Sequence, residues 1–289
     1  MMNIGGHVSL GRRPQQAVEE VARHGFRSMQ IFASSPGAWK PPVIDAVRAQ
    51  AFVESRDQHD IDPVFIHAIY LINLASEDSL FLERAHLSLI RTLEAGTALG
   101  AKGVITHIGS HGGRGFEAVS STVAQRLLDI VDSATGDVQL VLENSAGAGG
   151  IIGSHLSDLA TLIAATGGHP RLKIALDTAH LCASGWDFSR EQEAARLVTV
   201  IEQSIGFERL VAVHCNDSKT PVGSRRDRHA VLGTGHIGRE GFQHLVAQPE
   251  LTRVPWILET PEIEHRPEEL ALLQDLYKLS HPTELAYAY

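Results

Sequence analysis

Short apolar segments recur along the chain, each followed by a polar or glycine-containing loop and then by a helical pattern. Eight of these segments are rich in Val, Ile and Leu: Ile4–Val8, Ser28–Phe32, Pro63–Ile66, Gly103–Thr106, Val138–Leu142, Leu172–Leu176, Leu210–Val213 and Val254–Leu258. Short, nearly continuous apolar runs are typical of parallel strands that are covered on both faces. The pattern therefore predicts eight β-strands that alternate with helices.

Helical patterns fill the intervals between the predicted strands. Apolar residues at three- and four-residue spacing predict helices over Ser79–Leu99 and Gly115–Val131. Ser189 and Gln192 form a capping-box pattern ahead of a further helix over Ala194–Ile205. Strand and helix thus follow each other in regular βα units.

The spacing of these units distinguishes a closed barrel from an open sheet. From His67 to Glu259 the strand ends recur at intervals of 34 to 45 residues, and no Gly-x-Gly-x-x-Gly turn follows the first strand. Even βα repeats without that turn favour a (β/α)8 TIM barrel over a doubly wound sheet. Because no linker or break in composition divides the chain, we expect residues 1–289 to form a single domain.

The composition is that of a soluble globular protein, with 43% hydrophobic and 20% charged residues. No apolar segment approaches the roughly 18 residues that a membrane span needs. Met1–Leu10 lacks the pattern of a signal peptide, and Cys182 and Cys215 cannot make a disulfide framework. We expect a cytoplasmic protein, monomeric, with no membrane association and no obligatory protein partner.

Six consecutive predicted strands end in a residue that can bind a metal ion. These residues are His67, His107, Glu143, Asp177, His214 and Glu259. In a barrel the six positions converge on the C-terminal mouth, where catalytic groups collect. A lone residue of this kind is more often a hydrogen-bonding partner. Six in succession, however, would place carboxylates in a partly desolvated mouth with no positive charge to balance them. A bound cation would supply that positive charge.

Two loops add further potential ligands. His180 follows Asp177 by three residues, so that one helical turn can bring both to the same cavity. Asp227 and His229 occupy alternate positions of an extended segment and should point the same way. Five histidines and four carboxylates suit three metal ions when a carboxylate bridges. Mixed imidazole and carboxylate ligands fit Zn²⁺ best, with Mn²⁺ or Fe as alternatives.

The overall charge and the predicted site imply different partners. A formal net charge of −9 argues against a protein that holds nucleic acid on a broad basic face. Three divalent cations would nevertheless outweigh four carboxylates and leave the mouth positive. Such a local field can attract a phosphodiester to an acidic protein.

The segments that carry these residues resemble endonuclease IV, the apurinic/apyrimidinic endonuclease family of base-excision repair. They run in order along most of the chain: Gly5–Ser9, His67–Ala75, Gly109–His111, Leu142–Asn144, Leu176–His180, His214–Lys219, Gly223–His229, Gly233–Gly238 and Leu258–Pro261. The His-Cys-Asn-Asp-Ser-Lys segment with Asp-Arg-His close behind is the most specific of them.

The resemblance implies three Zn²⁺ ions that act on double-stranded DNA containing abasic sites. The ions would be held by His67, His107 and Glu143; by Glu143, Asp177, His214 and Glu259; and by His180, Asp227 and His229. Glu143 and Glu259 would be catalytic, as carboxylates that bridge the metals or position the attacking hydroxide. Cleavage 5′ of the lesion would leave a 3′-hydroxyl and a 5′-deoxyribose phosphate.

The same resemblance implies contacts with DNA. Tyr70 and Leu71 match residues that wedge into the minor groove where a base is missing. Their alternative interpretation is a packing cluster at the barrel rim together with Ile69 and Ile72. Gly37 stands where the family usually offers a basic side chain that inserts at the lesion. The candidates for phosphate contacts are Lys219, Arg225, Arg226 and Arg228.

Two other functions fit parts of the pattern. A sugar isomerase or epimerase on a similar metal-bearing barrel needs fewer metals, so His180, Asp227 and His229 would be superfluous in it. A DNA-lesion binder without activity would not need a complete set of ligands. About three metal ions per chain would favour the nuclease and about one the isomerase.

Overall fold

The computed structural model of the protein describes residues 2–260 and 265–282, so that Pro261 of the last family-like segment lies outside the described residues. The strands of its barrel are β1 Ile4–Ser9, β2 Ser28–Phe32, β3 Val64–His67, β4 Gly103–Thr106, β5 Gln139–Glu143, β6 Leu172–Asp177, β7 Leu210–His214 and β10 Trp256–Leu258. These eight parallel strands close in the order β1-β10-β7-β6-β5-β4-β3-β2. The closed barrel confirms the predicted fold class.

The barrel has two apolar layers because the side chains of each strand alternate between its faces. The larger core lies between the strands and the surrounding helices. A smaller interior cluster fills the barrel and consists of Phe65, Ile105, Val141, Ala175 and Ala212. All five are fully buried, so this part of the barrel interior is a packed core.

Ten α-helices cover the barrel in the described parts of the chain. They are α1 Pro14–Arg23, α2 Ala46–Gln58, α3 Ser79–Leu99, α4 Ser120–Ser133, α5 Leu156–Ala165, α6 Thr178–Ser184, α7 Glu191–Ser204, α8 Gly238–Val246, α9 Pro249–Thr252 and α10 Arg266–Ser280. Short 3₁₀ turns occupy Ala148–Gly150 and Phe207–Arg209. The bounds of α3 agree with the sequence prediction.

Two helix starts differ from the predictions. Helix α4 begins at Ser120 rather than at Gly115, which has a φ of +86° and belongs to the preceding loop. The capping box at α7 is wrong: Arg190 is the N-cap residue, and it makes no side-chain cap. The Ser189 hydroxyl instead donates to the Asp187 carboxylate at 2.6 Å.

A small antiparallel hairpin stands above the barrel in the long interval between β7 and β10. Its strands are β8 Asp217–Ser218 and β9 His229–Ala230. The buried Asp217 carboxylate fixes the loop that follows by accepting backbone N–H groups, among them those of Gly235 at 2.8 Å and Ile237 at 2.9 Å. The hairpin carries the loop that contains Asp227.

Within residues 2–260 and 265–282, none of the helices combines the length and the apolar character that a membrane crossing requires.

Candidate metal centre

The predicted ligands lie directly above the interior cluster. Five of them stand two positions after one of its members: His67, His107, Glu143, Asp177 and His214. Because residues two apart on a strand point to the same face, these side chains continue the interior layer upward into the mouth. The chain thus builds a polar layer on an apolar one.

Glu143 is the centre of the cluster. Its Oε2 lies 3.4 Å from both His67 Nε2 and His107 Nδ1, and its Oε1 lies 2.7 Å from His214 Nδ1. The side chain is 1% exposed, and Oε2 has no hydrogen-bond partner among the described residues. A buried carboxylate oxygen that faces two imidazole nitrogens without a hydrogen bond is well placed for a cation.

The loop residues complete a second part of the cluster. Asp177 is the N-cap of α6, where its Oδ1 accepts the backbone N–H of His180 at 2.7 Å. Asp227 Oδ2 lies 3.2 Å from His180 Nε2, and Asp227 Oδ1 lies 3.1 Å from His229 Nε2. His229 Nε2 is buried and makes no hydrogen bond within the part of the chain that the structure describes. Asp227 and His229 therefore point to the same place, as their alternate positions predict.

The potential ligand atoms form three groups, in each of which they lie within 4.8 Å of one another. The groups are His67, His107 and Glu143; Glu143, Asp177, His214 and Glu259; and Asp177, His180 and His229. Glu143 is shared by the first two groups and Asp177 by the last two. Asp227, expected in the third group, borders it with a side chain that is 50% exposed.

The charges of the cluster are strongly interdependent. Burial alone would keep His214 neutral, but Glu259 and Glu143 raise its pKa to about 9. Burial opposes ionisation of Glu143 and Glu259 too, yet the surrounding imidazoles hold both pKa values below the usual range. Burial lowers the pKa of His107 to about 4. The carboxylates of the mouth thus attract positive charge, which protons or metal ions can supply.

Three amide side chains outside the predicted ligand set hold the predicted ligands in place. Gln30 Oε1 accepts from His214 Nε2 at 2.8 Å, and Gln30 Nε2 donates to Glu259 at 2.5 Å. Asn216 donates to Asp177 at 2.6 Å, and Asn144 accepts from the Asp177 backbone N–H at 2.6 Å. The sequence signal that could have identified Gln30 is its position as a polar residue inside the apolar segment of β2.

These contacts also select the ring nitrogens that face the centre. His67 Nδ1 lies 2.7 Å from the Ala68 carbonyl, and His180 Nδ1 lies 2.9 Å from the Asn144 carbonyl. A carbonyl accepts only from N–H, so the neutral rings carry their hydrogen on Nδ1 and present Nε2 as a ligand atom. In His214 the two nitrogens exchange these roles: Nε2 donates to Gln30, and Nδ1 faces Glu143 at the centre.

His7 and His111 lie beside the groups and belong to none of them. His7 Nδ1 accepts from the Gln30 amide at 2.8 Å, and burial lowers the pKa of its ring. His111 Nδ1 accepts the backbone N–H of Gly115 at 3.2 Å. Both rings therefore act as hydrogen-bond acceptors through Nδ1.

A cavity of about 990 Å³ opens over the centre. Tyr70 and Leu71 line it, and the Tyr70 ring lies edge-on to His67 at 5.5 Å between centroids. Tyr70 is 59% exposed, whereas Ile69 and Ile72 are each 4% exposed. The isoleucines therefore pack into the core, and Tyr70 projects from the rim.

The four basic candidates all lie on the hairpin and its loop. Lys219, Arg225, Arg226 and Arg228 are exposed. The Arg228 guanidinium donates to the Asp227 carbonyl at 2.6 Å, next to the third group. Positive charge thus borders the mouth on the side of the hairpin.

Comparison with known proteins identifies the family. A family described as a xylose isomerase-like TIM barrel matches residues 18–278. The probable endonuclease 4 of Carboxydothermus hydrogenoformans is 35% identical over 261 residues, which cover 90% of this chain and 92% of that protein. The chain belongs to the endonuclease 4 family. Membership confirms the resemblance on which the ligand scheme rests.

Solved structures agree with this membership. The crystal structure of endonuclease IV from Thermus thermophilus has a TM-score of 0.85 and 33% identity, with coverage of 96% of this chain and 99% of that one. A D-tagatose 3-epimerase-like protein has a TM-score of 0.73 over 97% of this chain and all of its own, at 18% identity. The second likeness shows the fold alone.

Proposed function

We propose that this chain is an apurinic/apyrimidinic endonuclease that hydrolyses the phosphodiester 5′ of an abasic site in duplex DNA. The products would be a 3′-hydroxyl and a 5′-deoxyribose phosphate. The observation that carries the proposal is the convergence of all nine predicted ligands at one mouth, in a member of the endonuclease 4 family. A sugar isomerase has no use for so many.

The donor set fits three zinc ions. Glu143 would bridge the first and second ions, and the orphaned Glu143 Oε2 and His229 Nε2 would become ligand atoms. Mixed imidazole and carboxylate ligands suit Zn²⁺ best, and Mn²⁺ or Fe would also fit. Clustered divalent ions supply an activated water at neutral pH and neutralise charge on the attacking and leaving oxygens.

The chain itself would orient these groups and exclude water from them. Glu143, Asp177 and His214 are each 1% exposed or less, so their charges act in a medium of low dielectric constant. Gln30 and Asn216 restrain Glu259 from two sides, at Oε1 and Oε2. Preorganised groups of this kind need no rearrangement as charge develops during the reaction.

Tyr70 and Leu71 would insert into the duplex at the lesion. The exposed Tyr70 ring stands over the histidines of the first group, where a missing base would leave space for it. An apolar wedge offsets the cost of unstacking and allows the abasic nucleotide to turn out toward the metals. Lys219, Arg225, Arg226 and Arg228 would contact backbone phosphates.

The test combines metal analysis with a nicking assay on the purified protein. About three ions per chain, together with incision of an abasic duplex and not of an intact one, is the expected result. About one ion with no incision would support an isomerase. Tight binding of abasic DNA without strand scission under single-turnover conditions would support a lesion binder.

A further inference from the structure

The rim segment, residues 68–78, joins β3 to α3 and carries Tyr70 and Leu71. All of it lies within the described part of the chain, and it forms neither helix nor strand. Tyr70 is 59% exposed, so packing covers less than half of it. The position of Tyr70 therefore depends on hydrogen bonds that fix the backbone of the rim segment.

Asn73 fixes the rim segment to the next βα unit. Its Oδ1 accepts the backbone N–H of Ala75 at 3.0 Å and that of Ser110 at 3.1 Å. The Leu74 N–H adds a backbone bond to the Ile108 carbonyl at 2.8 Å. Ala75 belongs to the rim segment, whereas Ser110 lies in the loop after β4. One side-chain oxygen therefore closes a turn within the rim segment and bonds it to the neighbouring loop.

Gly109 allows Asn73 to approach this closely. The φ of Gly109 is +108°, a backbone conformation that favours glycine. A Cβ at this position would collide with both Oδ1 and Cα of Asn73. The loop after β4 thus leaves room for the Asn73 side chain at the cost of a side chain of its own.

Two arginines of the fourth βα unit hold the far end of the rim segment. The Arg126 guanidinium, on α4, donates to the carbonyls of Leu74 and Ser76. The Arg114 guanidinium, in the loop before α4, donates to the Ala75 carbonyl. Hydrogen bonds from charged donors are roughly twice as strong as neutral ones. Three successive carbonyls are therefore anchored to the neighbouring unit.

The near end of the rim segment is fixed through the backbone. The Tyr70 N–H donates to the Pro36 carbonyl at 2.9 Å. Asn73 lies between this bond and the arginine contacts. Among the side chains described above that hold the rim segment, Asn73 is the nearest along the chain to Tyr70 and Leu71.

A wedge that is ordered in advance binds a gap in the duplex more tightly than a mobile one. Ordering a flexible segment during binding costs conformational free energy, which a preorganised segment avoids. The cost applies to abasic DNA, where the wedge inserts, whereas an intact duplex without a gap is held mainly through its phosphates. The order of the rim segment therefore affects the preference for abasic DNA more than the affinity for DNA in general.

We propose that Asn73 is a positioning residue that sets the preference for abasic over intact DNA, because it holds Tyr70 and Leu71 ready to insert. The inference rests on the proposed function, since this preference matters only in a protein that acts at abasic sites. It assigns a role to a residue that belongs to none of the three ligand groups.

The preference can be measured in one assay. Single-turnover incision of a labelled abasic duplex gives a half-saturating protein concentration and a maximal rate, and an unlabelled intact duplex added as competitor gives its own affinity. Asn73→Ala should lower the ratio of the two affinities about tenfold, the size expected for one or two hydrogen bonds. The loss should come from the half-saturating concentration, while the maximal rate, the metal content and the affinity for intact duplex stay unchanged.

A conservative variant separates positioning from a direct contact with DNA. Asn73→Asp keeps a side-chain oxygen at the position of Oδ1 and should restore the preference. Its negative charge would weaken the binding of both duplexes, and the ratio of affinities cancels that effect. If Asn73 instead contacted DNA through its NH₂ group, Asn73→Asp would fail to restore the preference, and the positioning role would be wrong.

Thr97→Val is the matched control. The Thr97 hydroxyl donates to the carbonyls of Leu93 and Thr135 at 3.3 and 3.2 Å, at the end of α3 that lies away from the rim segment. Valine has a similar shape and lacks the hydroxyl. This variant should keep the wild-type preference; a loss like that of Asn73→Ala would show that any weakened contact of α3 suffices and would overturn the inference.

Removing the wedge side chains shows whether Asn73 acts through them. In a protein that carries Tyr70→Ala and Leu71→Ala, adding Asn73→Ala should cause no further loss of preference, because no wedge is left to position. An equal further loss in that background would overturn the positioning role, as would a wild-type preference in Asn73→Ala alone. A wild type that leaves the abasic duplex intact would instead overturn the proposed function, and the inference with it.

Discussion

Replacing Gln30 with methionine removes the hydrogen bonds that join β2 to two predicted ligands. Gln30 is fully buried, accepts from His214 Nε2 at 2.8 Å and donates to Glu259 Oε1 at 2.5 Å. Methionine has a similar length and no hydrogen-bonding group of comparable strength, so the change in volume is small. His214 and Glu259 would each keep one other contact, with Glu143 and Asn216 respectively, and lose the contact with Gln30 that helps to orient them.

The size of the effect follows from burial. His214 is 0% exposed, and leaving its Nε2–H without an acceptor costs about 1–3 kcal/mol. Removing a hydrogen-bond partner of a metal-binding histidine typically weakens metal binding about 10–100-fold. A tenfold change corresponds to about 1.4 kcal/mol, so the two ranges agree. We expect the proposed ion at His214 and Glu259 to be held about 10–100-fold more weakly.

The assay is a chelator titration that follows the ions retained per chain. Met29→Leu is the matched control, because Met29 neighbours Gln30 on β2 but is buried in the outer core. That variant should resist the chelator as the wild type does, whereas Gln30→Met should release an ion at a lower chelator concentration. If Gln30→Met retains every ion as firmly as the wild type, Gln30 does not position these ligands.

Three further predictions address the centre, the wedge and the thiols. Glu143→Gln should lower incision by more than about 100-fold and leave the circular dichroism spectrum unchanged, because it removes the proposed bridge from a barrel packed independently below it; a near-normal rate would refute the bridging role. Tyr70→Ala should weaken binding to abasic duplex by about tenfold or more while metal content stays constant, since an aromatic stack is worth about 1–3 kcal/mol; equal wild-type affinity for abasic and intact duplex would contradict the wedge. Cys182 and Cys215 should resist Ellman's reagent at pH 8 until the protein is unfolded, because both are at most 1% exposed, and burial raises the pKa of Cys182 to about 11 and that of Cys215 well above its usual value; rapid labelling of the native protein would show that these thiols are accessible.

The sequence by itself determined the barrel and the positions of the predicted ligands on it. A strand has a side-chain period of two, so a buried run that ends in a polar residue also fixes the direction in which that residue points. This is why His67, Glu143 and Asp177 could be assigned to the mouth from their places after apolar runs. The extended spacing of Asp227 and His229 was informative for the same reason.

Only the tertiary structure decided which side chains meet across the barrel. Gln30 and His214 are 184 residues apart, and their contact depends on the closure of the sheet, which no local pattern encodes. The same is true of Arg225 and His111, which line one cavity only because the segments after β7 and β4 are packed together. Periodicity is a property of neighbours along the chain, whereas a buried polar contact or a cavity exists only when distant segments are packed together.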